Sequence, residues 1–203
     1  MSQTQKKTSR VDKWLVAPLL LTKNRTHQLA YVAVTTAFII VANMFFEFKF
    51  IDTQFSLTLA ISALSGVVLG PAPGFVACFL GDLVGFLYHS SGYPYMPWIG
   101  IAMGMAAVIT GLCFYVIAKN GKGWLYAKLG IACFLIFAVC TVGINTTAFW
   151  FLYSKGKVPY FTYLVTRIFV QGQIWNTVFN SIILFISAPV LYQMKDLRLQ
   201  TKK

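Results

Sequence analysis

A single acid lies inside the long apolar stretches of this 203-residue chain: Asp82, within Gly81-Asp82-Leu83-Val84-Gly85. A carboxylate at membrane depth is costly unless it is paired or lines a wet cavity, so Asp82 is either a structural lock or part of a binding pocket. Catalysis would ask for more, namely paired carboxylates, a nucleophile with its base, or metal ligands gathered at one depth. His27 and His89 fall at opposite ends of the apolar runs and cannot share a metal. Cys78, Cys113, Cys133 and Cys140 sit within apolar runs without ligand spacing and read as packing residues, neither disulfides nor metal ligands. Gly121-Lys122-Gly123 lacks both the spacing and the Ser/Thr of a phosphate-binding loop. These residues argue against an enzyme and call for no cofactor or metal. Any energy for transport has to come from outside the chain.

The elements that position Asp82 follow from composition. With 58% hydrophobic, 16% aromatic and only 11% charged residues, the chain is a polytopic membrane protein rather than a soluble domain. Six apolar runs are separated by polar or Gly/Pro-rich breaks: residues 28–46, 56–69, 73–88, 97–118, 124–153, and a last run that ends near Met194 and starts at either Tyr160 or Arg167. The second and third runs reach only about 21–24 Å as helices, short of the roughly 30 Å hydrocarbon core, and fit best against longer neighbours. The expected fold is therefore an all-α membrane bundle of six transmembrane helices.

Orientation follows from the cations. Six Lys/Arg precede the first run, three flank the junction of the fourth and fifth, and four lie in the tail, leaving Lys49, Lys155 and Lys157 on the other side and Arg167 in or near the membrane. The positive-inside rule then places both termini in the cytoplasm. Juxtamembrane cations facing anionic lipid account for the net charge of +12 without nucleic acid. The chain divides into a basic N-terminal segment (1–27), a membrane domain (28–194) and a basic tail (195–203). Within the first, residues 12–21 read as an interfacial stretch on the inner leaflet, because Pro18 interrupts the apolar run and no small-x-small cleavage site follows it.

Four segments, in this order, carry a family resemblance: Ala33-Val34-Thr35-Thr36-Ala37; Leu69-Gly70-Pro71 with Gly74 and Gly81-Asp82-Leu83-Val84-Gly85-Phe86-Leu87; Ser91-Gly92-Tyr93-Pro94-Tyr95-Met96-Pro97; and Asn145-Thr146-Thr147-Ala148-Phe149-Trp150 followed by Tyr153, Lys155-Gly156-Lys157 and Arg167. With them the chain resembles the substrate-binding S components of energy-coupling factor (ECF) vitamin transporters, in particular the folate-type branch. Tyr153-Ser154-Lys155-Gly156-Lys157 departs from that branch by an additional cation, and Gln171-Gly172-Gln173-Ile174-Trp175-Asn176 by its polarity. The resemblance implies passive capture of a water-soluble vitamin, folate or a relative first and pantothenate second. It also implies partnership with a transmembrane coupling subunit and two ATPase subunits. The alternative is a stand-alone proton-coupled carrier working through Asp82.

Each candidate residue has a plainer reading beside the functional one. Ala30, Ala33 and Ala37 share one helical face, which lets another helix approach closely. The resemblance makes that helix the coupling subunit's, whereas small-x-x-x-small pairs at Gly66/Gly70, Gly81/Gly85 and Gly100/Gly104 also suit packing within the chain. Phe48, Phe50 and Gln54 lie in a loop that alternates charge with bulky apolar residues: the resemblance makes it an ordered cover over the ligand, and the plainer reading is an amphipathic connector. Tyr93, Tyr95 and Trp98 are either an interfacial aromatic belt or rings for a flat heterocycle, held by Pro94 and Pro97. Asn145 and Trp150 serve either the ligand or contacts between helices. Arg167 either pairs with Asp82, locking the third helix to the sixth, or forks onto a vitamin carboxylate. Lys155 and Lys157 either steer an anion inward or are ordinary loop charges. Gln173, Asn176 and Asn180 share a face of the last run, with Arg167 and Gln171 nearly opposite.

Overall fold

The computed structural model describes residues 12–21, 24–45, 47–50, 53–88, 94–117 and 121–194, with the backbone alone at 12–13, 19, 47–50 and 53–55. Two helical turns, Asp12–Leu15 and Pro18–Leu21, precede α1 (Arg25–Phe45). A hairpin of β1 (Glu47–Phe50) and β2 (Thr53–Ser56) leads to α2 (Thr58–Leu69) and α3 (Pro71–Tyr88). α4 (Pro97–Val116), α5 (Lys122–Ser154), α6 (Tyr160–Val170) and α7 (Gln173–Gln193) complete the chain.

Five helices, α1, α3, α4, α5 and α7, are long and apolar enough to cross a membrane, while α2 and α6 are shorter apolar helices. This is a multi-pass membrane protein. The second of the six expected runs is thus a 12-residue helix, about 18 Å long, well under the hydrocarbon thickness. Three sequence expectations change. The third helix begins at Pro71 rather than Pro73, because proline is at home in a first turn that needs no N–H. The last run is two helices: Gly172 takes the left-handed φ of 71° that ends α6 and starts α7, so neither Tyr160 nor Arg167 opens a single sixth helix. The first loop, expected to be ordered but without strands in an all-α bundle, contains an antiparallel hairpin, with Phe48 opposite Phe55 and Lys49 opposite Gln54.

Helix packing rests on missing side chains. A methyl added at Gly66 would collide with the Ala107 carbonyl of α4, one at Gly104 would lie 2.6 Å from the Phe75 ring, and one at Gly81 would lie 2.6 Å from Ile39. Glycines of these pairs are therefore packing sites within the chain: Gly66 lets α2 meet the backbone of α4, while Gly104 and Gly81 make room for the Phe75 and Ile39 side chains. α4 is the most buried of the five long helices and α1 the least. Around α4 lie two alanine- and cysteine-rich cores. One joins Ala60, Ala106, Ala132, Cys140 and Leu184, and the other joins Leu20, Ile39, Leu69, Cys78 and Met103. The four cysteines are unbridged.

The N-terminal turns dock onto the bundle instead of lying apart from it. The Ala17 N–H donates to the Leu69 carbonyl at 3.0 Å, and Ala17 and Leu20 are buried. Gly70, at φ 95°, allows this: its missing Cβ would strike the Val16–Ala17 backbone. At the same end Lys128 Nζ donates to the Phe114 carbonyl at 3.4 Å, meeting one of the last carbonyls of α4, and Lys122 lies over the Tyr192 ring.

Candidate functional site

At the end of the bundle that carries the hairpin, α4, α5 and α6 converge on one ring, Phe149. Trp98, one residue after the Pro97 that opens α4, meets it edge-on at 5.8 Å. The Arg167 guanidinium of α6 lies over its face, 4.0 Å from the centroid, and Tyr153 stacks at 5.6 Å one turn further along α5. Asn145 sits one turn before Phe149 on the same helix. A cation over an aromatic face contributes about 0.5–2 kcal/mol, so the contact helps to hold Arg167 in place.

Local backbone brings these side chains together. Phe137–Thr146, Trp150–Ser154 and Thr166–Val170 are wide π-helical turns, and they contain Asn145, Trp150 and Arg167 respectively. The i→i+5 pattern shows in Thr146 Oγ1 donating to the Thr141 carbonyl at 2.7 Å and in the Gln171 N–H donating to the Thr166 carbonyl at 2.9 Å. Wide turns are rare and concentrate at functional sites, where they rotate side chains out of the ordinary helical register. Beyond α5 the chain reverses through Lys155 and Gly156, both left-handed. Trp150 Nε1 donates to the Val158 carbonyl at 2.9 Å and the Val158 N–H donates to Ser154 Oγ at 3.1 Å, which pins that reversal.

Three polar atoms in this cluster are buried and have no hydrogen-bond partner among the described residues: Trp98 Nε1, Asn145 Oδ1 and Arg167 Nε. Each such atom costs about 1–3 kcal/mol, so two on residues that contact Phe149 and a third one turn away on the same helix single this cluster out as the candidate site. Two offer hydrogens and one accepts, which suits a polar flat ring system or an anionic group presented beside it. A separate small recess lies between α2, α5 and α7, lined by Leu59, Ile136, Thr141, Thr177 and Asn180 among others. Its lining is mostly apolar, and the Asn180 amide is already fully bonded, so the unmatched atoms beside Phe149 mark the better site.

The remaining candidates fall in several places. Tyr95 donates to Asp82 Oδ2 at 3.1 Å and lies 5.2 Å from the Phe86 ring. Through this bond Asp82 ties α3 to the segment entering α4, while Arg167 contacts Phe149 and Tyr163. Burial, and then the charge of Asp82, push the Tyr95 phenol up to about 12, so it stays the donor at physiological pH. Trp150 is spent on the reversal. Lys157 is exposed beside it. Phe48, Phe50 and Gln54 are placed on the hairpin strands by backbone only, and Tyr93 lies outside the described residues. Ala30, Ala33 and Ala37 are all exposed on α1. Phe149, the centre of the site, carried no distinguishing signal among 18 phenylalanines.

A family model described as ECF-type riboflavin transporter, S component, matches residues 23–196. Two solved structures share the fold. One, FolT bound with folic acid, aligns with a TM-score of 0.58 at 20% identity over 81% of this chain and 93% of that one. The other, the S component of a bacterial ECF transporter, aligns with a TM-score of 0.53 at 18% identity over 87% and 99%. No curated protein matches the sequence. The helical bundle, its apolar spans and a family match over most of the chain together lead to one conclusion: this protein belongs to the ECF-type riboflavin transporter S-component family.

Proposed function

We propose that the chain captures a water-soluble vitamin at the hairpin end of the bundle, facing outside, and surrenders it to the cytoplasm when a coupling subunit and two ATPase subunits drive the change. It performs no chemistry itself. Folate or a relative is the first substrate and pantothenate the second, with the fold shared with FolT supporting folate. The riboflavin in the family's description makes that vitamin the competitor to include in every test. The observation that carries the reading is the trio of unmatched polar atoms around Phe149. Arg167 would meet a vitamin carboxylate, Trp98 and Asn145 the ring system, and Lys157 would draw the anion in. Tyr93, Tyr95, Phe48, Phe50 and Gln54 would close the site from the fourth-helix loop and the hairpin.

Six crossings with both termini cytoplasmic suit this reading. α2 would act as a short crossing, α6 would stay at the outer end, and the contacts of Ala17 with Leu69 and of Lys122 with Tyr192 would lie at the cytoplasmic end. The exposed Ala30, Ala33 and Ala37 leave α1 free to receive the coupling subunit. Native mass spectrometry of the freshly purified protein is expected to show bound vitamin, and liposome uptake is expected only with the ATPase module present. Uptake by the chain alone, abolished by Asp82→Asn and by a protonophore, would replace this reading with a proton-coupled carrier.

A further inference from the structure

Two asparagines one turn apart on α7 grip the point where the hairpin joins α2. Asn176 Oδ1 accepts the Ser56 N–H at 3.2 Å, and Asn180 Nδ2 donates to the Ser56 carbonyl at 2.7 Å. Asn180 Oδ1 accepts the Ala60 N–H at 3.0 Å, while its Nδ2 also reaches the Asn176 carbonyl at 2.8 Å and Asn176 Oδ1 at 2.9 Å. Both side chains are buried, at 8% and 5% exposure. The Ala60 N–H is one of the donors that a helix start leaves unpaired, and Leu57, before α2, supplies no side-chain cap. A distant helix therefore caps α2 and satisfies both backbone groups of the last hairpin residue.

We propose that Asn176 and Asn180 are positioning residues, a clasp that fixes the root of the hairpin to α7 and so sets how long a bound vitamin is retained, without touching it. The proposal rests on the vitamin-binding reading for its ligand and on the hydrogen bonds alone for its anchor. The clasp stands next to the helix break: the Asn176 N–H bonds to the Gly172 carbonyl at 3.2 Å, and Gly172 separates α7 from α6, which carries Arg167. Hairpin and guanidinium are thus both referenced to the first turn of α7. A hairpin freed at its root lets ligand leave faster but does not slow its arrival.

The two asparagines use different atoms, which gives the test its sign. Both contacts to the Asn176 side chain are accepted by Oδ1, so Asn176→Asp keeps them. Asn180 donates to the Ser56 carbonyl, so Asn180→Asp turns a donor into an acceptor facing a carbonyl. Hydrogen–deuterium exchange over residues 47–60 of the ligand-free full chain, together with association and dissociation rates of folate and riboflavin, reads out each variant. Asn180→Asp is expected to raise exchange and dissociation about tenfold with association unchanged, and Asn176→Asp to stay within about threefold of the parent. Should Asn180→Asp fail to fold, Asn176→Leu, which deletes the acceptor for Ser56, is expected to show the same faster exchange and release. Unchanged exchange in these disrupting variants, equal effects of the two aspartates, or a change confined to association would overturn the clasp. Exchange that responds as expected in a parent chain that binds no vitamin would uphold the anchor and overturn the vitamin reading.

Discussion

Arg167→Lys keeps the positive charge and removes the planar fork. In the structure the guanidinium lies 4.0 Å over Phe149 with its Nε unmatched, a geometry that an ammonium on a flexible stem cannot reproduce. Loss of the stacking contact costs about 0.5–2 kcal/mol of fold stability. Loss of a charge-assisted hydrogen bond to ligand costs about 1.5–3 kcal/mol, so folate affinity is expected to fall about 10- to 100-fold. Riboflavin has no carboxylate for the fork to grip, and its affinity should move by no more than about threefold. Isothermal titration of the purified protein gives both affinities, and thermal unfolding in detergent with helix content by circular dichroism separates lost binding from lost fold. Folate affinity unchanged within about threefold in a fully folded Arg167→Lys protein would refute the assignment of Arg167 to the ligand. An equal loss for both vitamins would refute the carboxylate contact in particular.

Two further outcomes test the bundle and its partner face. Ala33→Trp or Ala37→Trp is expected to leave vitamin affinity intact while preventing co-purification with the coupling subunit; loss of both together would count against a dedicated docking face. Gly66→Ala should lower stability by about 1–3 kcal/mol or more, since its methyl collides with the Ala107 carbonyl, whereas Gly123→Ala, with open space around it, should be neutral or slightly stabilising by thermal unfolding.

The membrane bundle was legible because apolar run length and Gly/Pro breaks report directly on helices in lipid, and five of the six runs return as long helices. The division of the last run was not legible, because only the φ of Gly172 distinguishes a break from a tolerated glycine. The hairpin stayed hidden for a related reason: its alternation of charge and bulk is shared by an amphipathic connector, and two four-residue strands are too short to outweigh it. At the candidate site, Trp98 and Arg167 stood out in the sequence as an interfacial ring and a cation out of place in lipid, and both contact Phe149 in the structure. Phe149 itself did not, since an aromatic residue in a membrane helix is the rule. Tyr95 was not legible as a partner of Asp82, because depth along a helix says nothing about azimuth and Tyr95 reaches it from the segment entering α4.

The seat of Ala17 and Leu20 fixes an order of biogenesis. Their burial depends on the Leu69 carbonyl and on the bare backbone of Gly70, made roughly fifty residues later. While the ribosome is still building α1 and the hairpin, Ala17 lacks the carbonyl that its N–H meets in the finished fold. That seat is complete only once the turn between α2 and α3 is in place, so Ala17 settles after residues made roughly fifty positions later.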